Sequence, residues 1–206
     1  MTMPAAPDLG ALYAPPAERI QKAVLDHLVD FHADYLKAAT FFCLATAGPG
    51  GLDASPRGGP PGFVRMLDPH TVAFADWPGN NRIASLTNLQ SDDRIGMLFL
   101  FPGLEIFMRI NGHAAMSMHP ELLRALAEGA RLPKTAIVVR IDEVLFHCGK
   151  AVNRAKLWHP DSMLDRKSVP SPGEIVAAIT GADSATAQAM NEGYYTAIRG
   201  NLYEEH

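Results

Sequence analysis

Four residues in the stretch FADWPGNNRIAS (74–85) have the types and the spacing to hold an anion. Asn80, Asn81 and Arg82 follow a Pro-Gly turn, Ser85 comes three residues after Arg82, and the pattern beyond is helical. A helix start leaves N–H groups unpaired and carries the positive end of the peptide dipole, so it suits a phosphate. Either asparagine can cap such a helix. An arginine in the first turn opposes the dipole unless an anion offsets it, and Ser85 shares its face and can donate a hydroxyl. Arg65, in GFVRMLD (62–68), faces the same corner if that segment pairs with TVAFAD (71–76). Two guanidinium groups with main-chain donors match a phosphate monoester. The plainer alternative is an asparagine cap followed by an arginine in water.

A second group of candidates lies in HCGKAVNRAKLWHP (147–160). His147, Cys148 and His159 invite a metal, but their spacing fits no structural zinc pattern, so no metal is expected. Lys150 and Arg154, one helical turn apart, form a basic edge that Trp158 extends. That edge either binds an anionic substrate or covers a cofactor, or it is a solvated face. Cys43 sits in an apolar strand and reads as a core residue. GxSxG, GxGxxG and phosphate-loop sequences are all missing, so no catalytic acid, base or nucleophile is assigned.

The elements that must position these residues follow from periodicity. A loosely ordered start (1–15) precedes one helix from Pro16 to Ala39, in which Ile20, Val24, Leu28, Phe31 and Tyr35 recur three or four apart. Strands are predicted over 40–47, 52–57, 62–68, 71–76, 94–101, 107–117 and 135–149. Helices are predicted over 81–91, 119–129, 150–158 and 173–203, the last broken near Gly181. Strands that follow one another with only short helices between some of them indicate a mainly β barrel with appended helices, and disfavour a doubly wound parallel sheet. The 206 residues allow one domain or two small ones, and 48% hydrophobic against 19% charged supports a core. A net charge of -4 gives no general attraction to nucleic acid. IGMLFLF (95–101) is far shorter than the ~20 residues that cross a bilayer, so no membrane span is expected. The first ten residues lack a signal-peptide pattern, and the two cysteines make no CxxC, so a reducing cytoplasm is the simplest compartment.

A strand bearing Arg65, a hairpin, a strand ending in the small–polar pair Ala75-Asp76, a turn and then Arg82 at a helix start form an order that resembles the pyridoxamine 5'-phosphate oxidase family. Members of that family are FMN-binding split β-barrels that dimerise. DDRIGMLFLFPG (92–103) is similar to the strand after the family's phosphate helix, and MRINGHA (108–114) to the strand after that. The resemblance covers residues 40–117 and, more loosely, 135–149. It implies a split β-barrel over 40–149, with an N-terminal extension and helix (1–39) before it and a helical segment (150–206) packed on it. It also implies FMN as cofactor, a homodimer with flavin sites built from both chains, and oxidoreduction of a small-molecule substrate. The cofactor residues it points to are Arg65, Met66, Ala75, Asp76, Asn80, Asn81, Arg82, Ser85, Arg109 and Asn111. Arg109 would stabilise the reduced ring, or else form an interface salt bridge. Arg57 would reach the flavin edge or an acidic substrate, or else stand in water; Lys150 and Arg154 are the other substrate candidates. Asn81 stands where the oxidases carry a basic residue, and their C-terminal substrate pattern is not evident, so pyridoxamine phosphate is not the expected substrate. A flavin carrier without catalysis and a haem-binding split barrel are the alternative functions.

Overall fold

Alternation along the strands sorts side chains onto two faces, and the face that packs inward is built of large apolar groups. The computed structural model describes residues 6–200 and 202–203. Its strands are β1 (Phe41–Gly48), β2 (Gly51–Gly58), β3 (Val64–Asp68), β4 (Thr71–Asp76), β5 (Arg94–Leu100), β6 (Ile106–Ser117) and β7 (Thr135–Cys148). They form one sheet in the order β2-β1-β5-β6-β7-β4-β3, and every pairing is antiparallel. Phe42 and Leu44 of β1, Met97 and Phe99 of β5, Met108 and Ile110 of β6 and Phe74 of β4 are buried in one cluster.

The sheet curls on itself without closing by hydrogen bonds, which leaves β2 and β3 as its edges. Aromatic contact across the roll substitutes for closure. Phe42 of β1 meets Phe74 of β4, a strand it does not pair with, edge to face at a centroid separation of 5.0 Å. Phe42 also lies 5.1 Å from Phe99 and stacks on Phe63 at 5.6 Å. This is the split β-barrel that the sequence predicts. A bulge at Asn111/Gly112 bends β6. A Cβ on Gly112 would lie 2.0 Å from the Arg140 carbonyl oxygen, so only glycine fits there.

Eight α-helices are present among the described residues: α1 (Leu9–Leu12), α2 (Glu18–Lys22), α3 (Asp30–Ala38), α4 (Ala84–Leu89), α5 (Pro120–Ala125), α6 (Lys150–Ala155), α7 (Pro172–Thr180) and α8 (Ser184–Gly200); α3, α4 and α5 lie against the sheet, and α7 and α8 pack on each other. α3 buries Leu36 and His32, while Tyr35 packs on Phe101 and Phe146. α5 covers the outer face of β4 and β7, where Ala73, Ala75 and Ala136 let Leu126 approach.

Two expectations are corrected. The single helix over 16–39 is two helices, because Leu25 is extended and exchanges backbone hydrogen bonds with Val144 of β7 at 3.0 and 2.7 Å. Its apolar period therefore does not mark one face: Ile20 is exposed and Leu28 is buried. The start is not wholly irregular, since Asp8 caps the one-turn α1; residues 1–5 of that stretch lie outside the described residues, as does 201 of the expected last helix. The predicted break near Gly181 falls between α7 and α8, and Gly181 takes the left-handed conformation that ends α7.

Candidate functional site

β2 carries Asp53, Ser55 and Arg57 opposite Thr46, Leu44 and Phe42 of β1. These three polar residues therefore continue the inward face that β1 fills with hydrophobic groups. Beside them is a cavity of about 620 Å³, bounded by β2, the end of β4, residues 77–83, the start of α4 and Thr135 of β7. Its size falls within the ~300–1,000 Å³ common for small-molecule sites. Phe63 and Trp77 supply aromatic walls, and Lys134 adds a third cation to Arg57 and Arg82.

One hydrogen-bonded chain crosses the cavity floor. Ser85 donates its hydroxyl to Asp53 Oδ2 at 2.6 Å, and Ser55 donates to the same oxygen at 2.8 Å. Arg57 Nη2 donates to Ser85 Oγ at 3.2 Å and lies 3.9 Å from Asp76 Oδ1. The Ser85 hydroxyl, joined by Ser55 and nearby Arg57 and Arg82, holds the Asp53 carboxyl below its usual range against an opposing effect of burial. Burial raises Asp76 above that range, with Arg57 opposing. Burial also lowers Arg57, and its Nε is buried with no hydrogen-bond partner. A buried guanidinium donor left over is unusual and marks a place for a ligand acceptor.

The turn before α4 is strained. Asn81 has φ 56° and Ile83 φ 40°, the left-handed region, which asparagine tolerates and a β-branched residue rarely adopts. Such residues persist where the surroundings over-determine them, often at ligand sites. They also cannot belong to the right-handed helix, so the helix predicted over 81–91 spans only Ala84–Leu89. Ile83 occupies the N-cap position, and neither Asn80 nor Asn81 caps it. Asn80 Oδ1 accepts instead from the Arg82 N–H at 3.2 Å. Arg82 precedes the helix, is exposed, and its side chain makes no hydrogen bond among the described residues. Ser85 is not a spare donor: its proton is committed to Asp53, so it can offer a ligand only a lone pair.

The cavity thus gathers Arg57, Ala75, Asp76, Asn80, Asn81, Arg82 and Ser85 of the expected residues. The others lie elsewhere in the chain. Arg65 and Met66 are exposed on the edge strand β3. Arg109 and Asn111 are on the outer face of β6, where both donate to Glu143 Oε1, Asn111 at 3.0 Å. Lys150 and Arg154 are exposed on α6, beyond the end of β7 opposite to Thr135. Trp158 donates its indole N–H to the Leu104 carbonyl at 2.8 Å. Cys43, expected in the core, is half-buried on the outer face opposite Leu98, because the inward positions of β1 fall to Phe42 and Leu44. Sequence reading passed over Asp53, Ser55, Phe63, Trp77 and Lys134. The first two were signalled by the alternation Asp53-Ser55-Arg57 next to a strand whose alternate residues are apolar.

A family model for pyridoxamine 5'-phosphate oxidase matches residues 28–148. No curated protein matches the chain. Among solved structures, HupZ from Group A Streptococcus is 16% identical, with 57% of this chain and 92% of that one covered at a TM-score of 0.46. A Clostridium acetobutylicum protein related to general stress protein 26 of B. subtilis is 12% identical, with coverage of 58% and 91% and a TM-score of 0.45. An FMN-binding protein from Syntrophomonas wolfei is 14% identical, with coverage of 56% and 88% and a TM-score of 0.42.

Because folding depresses Asp53, the stability it contributes is complete above the ordinary aspartate value of about 3.9 and is lost as pH falls through the lower folded value. Thermal melts from about pH 5 down to about pH 2 should show the wild type losing more stability than Asp53→Asn. Parallel curves would mean that Asp53 is not held by Ser85 in solution.

Proposed function

The chain belongs to the pyridoxamine 5'-phosphate oxidase family, and on that footing we propose that its cavity binds FMN and that the protein is an FMN-dependent oxidoreductase of a small molecule. One observation carries this reading. Within the segment that the family model matches, a single cavity brings three cations together with the amides of residues 80 and 81 and two aromatic walls. Asp53 and Asp76 compensate Arg57, which leaves the exposed Arg82 at the rim as a cation for an anionic ligand.

The residues fit the group in distinct ways. Arg82, exposed and with its guanidinium unbonded, is the phosphate ligand, and the amides of Asn80 and Asn81 donate beside it. Arg57 Nε, buried and unpartnered, donates to an acceptor on the ring system or its side chain. Asp53 and Asp76 keep the buried Arg57 compensated. Bound FMN would supply the electron-transfer chemistry; the chain supplies binding, orientation and charge.

The same reading includes a homodimer. The outer face of β1, β5 and β6 presents Cys43, Ala45, Gly96, Leu98 and Phe107 around the Arg109–Glu143–Asn111 cluster. An apolar patch with an embedded polar group suits a subunit contact. A second copy placed there brings Arg109 and Asn111, which this chain's own cavity lacks, into the contact between the two chains. No helix among the described residues is long and apolar enough to cross a membrane, and a reducing cytoplasm is the compartment that goes with this reading.

Arg82→Ala should weaken FMN binding to the apo-protein about ten- to a hundredfold, the loss of roughly 1.5–3 kcal/mol from one charge-assisted contact. Riboflavin, which lacks the phosphate, should discriminate little between the two proteins. An unchanged FMN dissociation constant would return Arg82 to the solvent. Light scattering at micromolar concentration should report a dimer of the flavin-loaded protein, and a flavin-loaded monomer would contradict the shared site.

A further inference from the structure

A second cavity, of about 670 Å³, adjoins the first and shares Gly58, Trp77 and Leu202 with it. At its wall is a slot made by elements far apart in sequence. Trp77 follows β4, and Glu128 and Arg131 flank a turn between α5 and β7. Glu128 and Arg131 exchange backbone hydrogen bonds at 3.1 Å in both directions, with Gly129 at φ 60° between them. The Trp77 indole N–H donates to Glu128 Oε1 at 3.0 Å, so the carboxylate is aimed by groups that belong to the barrel itself. Its other oxygen faces the slot.

The slot is filled by Tyr203, from the segment that follows α8. Its ring meets Trp77 edge to face at 5.0 Å, and the Arg131 guanidinium lies over it at 5.1 Å from the centroid. Its hydroxyl donates to Glu128 Oε2. An indole wall, a cation over the ring and an acceptor in reach of a ring hydroxyl form a complete set of recognition groups for a phenol. Glu128 also holds the Tyr203 phenol above its usual pKa, so the neutral, donating form is the one favoured. Two of the recognising groups do not depend on Tyr203 for their position: the backbone of the turn is held by its own hydrogen bonds, and Glu128 by Trp77.

We infer that this slot is a binding site for a planar, hydroxyl-bearing aromatic ring, and that Tyr203 is its tethered occupant. A free phenolic ligand competes with the chain's own tyrosine. Displacing Tyr203 also frees Leu202, which lines both cavities, and so opens the way from the slot into the first cavity. That makes the slot a position for an aromatic second ligand beside the cofactor; this consequence, unlike the slot itself, rests on the reading of the first cavity as the FMN site.

The test uses the flavin-free protein, so it stands or falls separately from FMN binding. The chain has two tryptophans, Trp77 and Trp158, and Trp158→Phe assigns the Trp77 indole N–H resonance. In Tyr203→Ala, p-cresol should shift that resonance saturably, with at least about tenfold weaker binding to the wild type, and toluene should bind less well than p-cresol. A chain ending at Gly200 should behave as Tyr203→Ala does and guards against an effect of the substitution on folding. An unmoved Trp77 resonance in both variants, or equal p-cresol binding by the wild type, would overturn the slot. Equal binding of toluene and p-cresol would overturn recognition by Glu128.

Discussion

The site depends on one contact made where no backbone hydrogen bond exists. β1 and β4 do not pair, yet Phe42 and Phe74 pack edge to face across the roll. That contact draws the β1–β2 hairpin over the end of β4. Arg57 sits directly opposite Phe42 in register, so fixing Phe42 fixes the point on β2 from which Arg57 reaches Ser85 and Asp76. Phe63 stacks on Phe42 from the core side and lines the cavity on the other. Gly59 makes room for it: a Cβ there would lie 2.7 Å from Phe63 Cβ. An open sheet thus gains a defined cleft between its two ends through hydrophobic packing, which is non-directional and strong in aggregate.

Charge inside the cleft is arranged rather than simply accumulated. A buried guanidinium without compensation would be strongly unfavourable. Arg57 has Asp76 at 3.9 Å and Asp53 through Ser85, and Ser85 is buried between them. The Asn88 side chain donates to Thr46 Oγ1 at 3.1 Å and ties α4 to β1, which keeps Ser85 in range of Asp53. Arg82 is outside this network, on a turn held in left-handed backbone. The cleft therefore has a rigid, balanced floor and a cation at its rim, an arrangement that leaves the rim charge for an incoming anion.

Much of this was legible in the sequence, and the failures share a cause. The seven strands and their order along the chain follow from two-residue alternation and from Gly and Pro at the turns. The crowding of Ala75, Asp76, Asn80, Asn81, Arg82 and Ser85 was legible because they are close in sequence. Arg57 reached the same cavity from a distant hairpin, and only strand register, set by β1, brings it there. Local pattern misled at 16–39, where a tertiary bridge from Leu25 to Val144 overrides a helical period, and at 81–83, where left-handed backbone excludes the helix. Asp53's hold on the Ser85 proton could not be read from types and spacing at all, since it joins residues 32 apart.

A crystal structure of the protein with FMN tests most directly whether this cleft is the cofactor site. The phosphate should lie against Arg82 and the amides of residues 80 and 81, with the rest of the molecule in the cavity beside Arg57 and Trp77. FMN bound at full occupancy elsewhere on the protein, with this cavity holding only solvent, would contradict it.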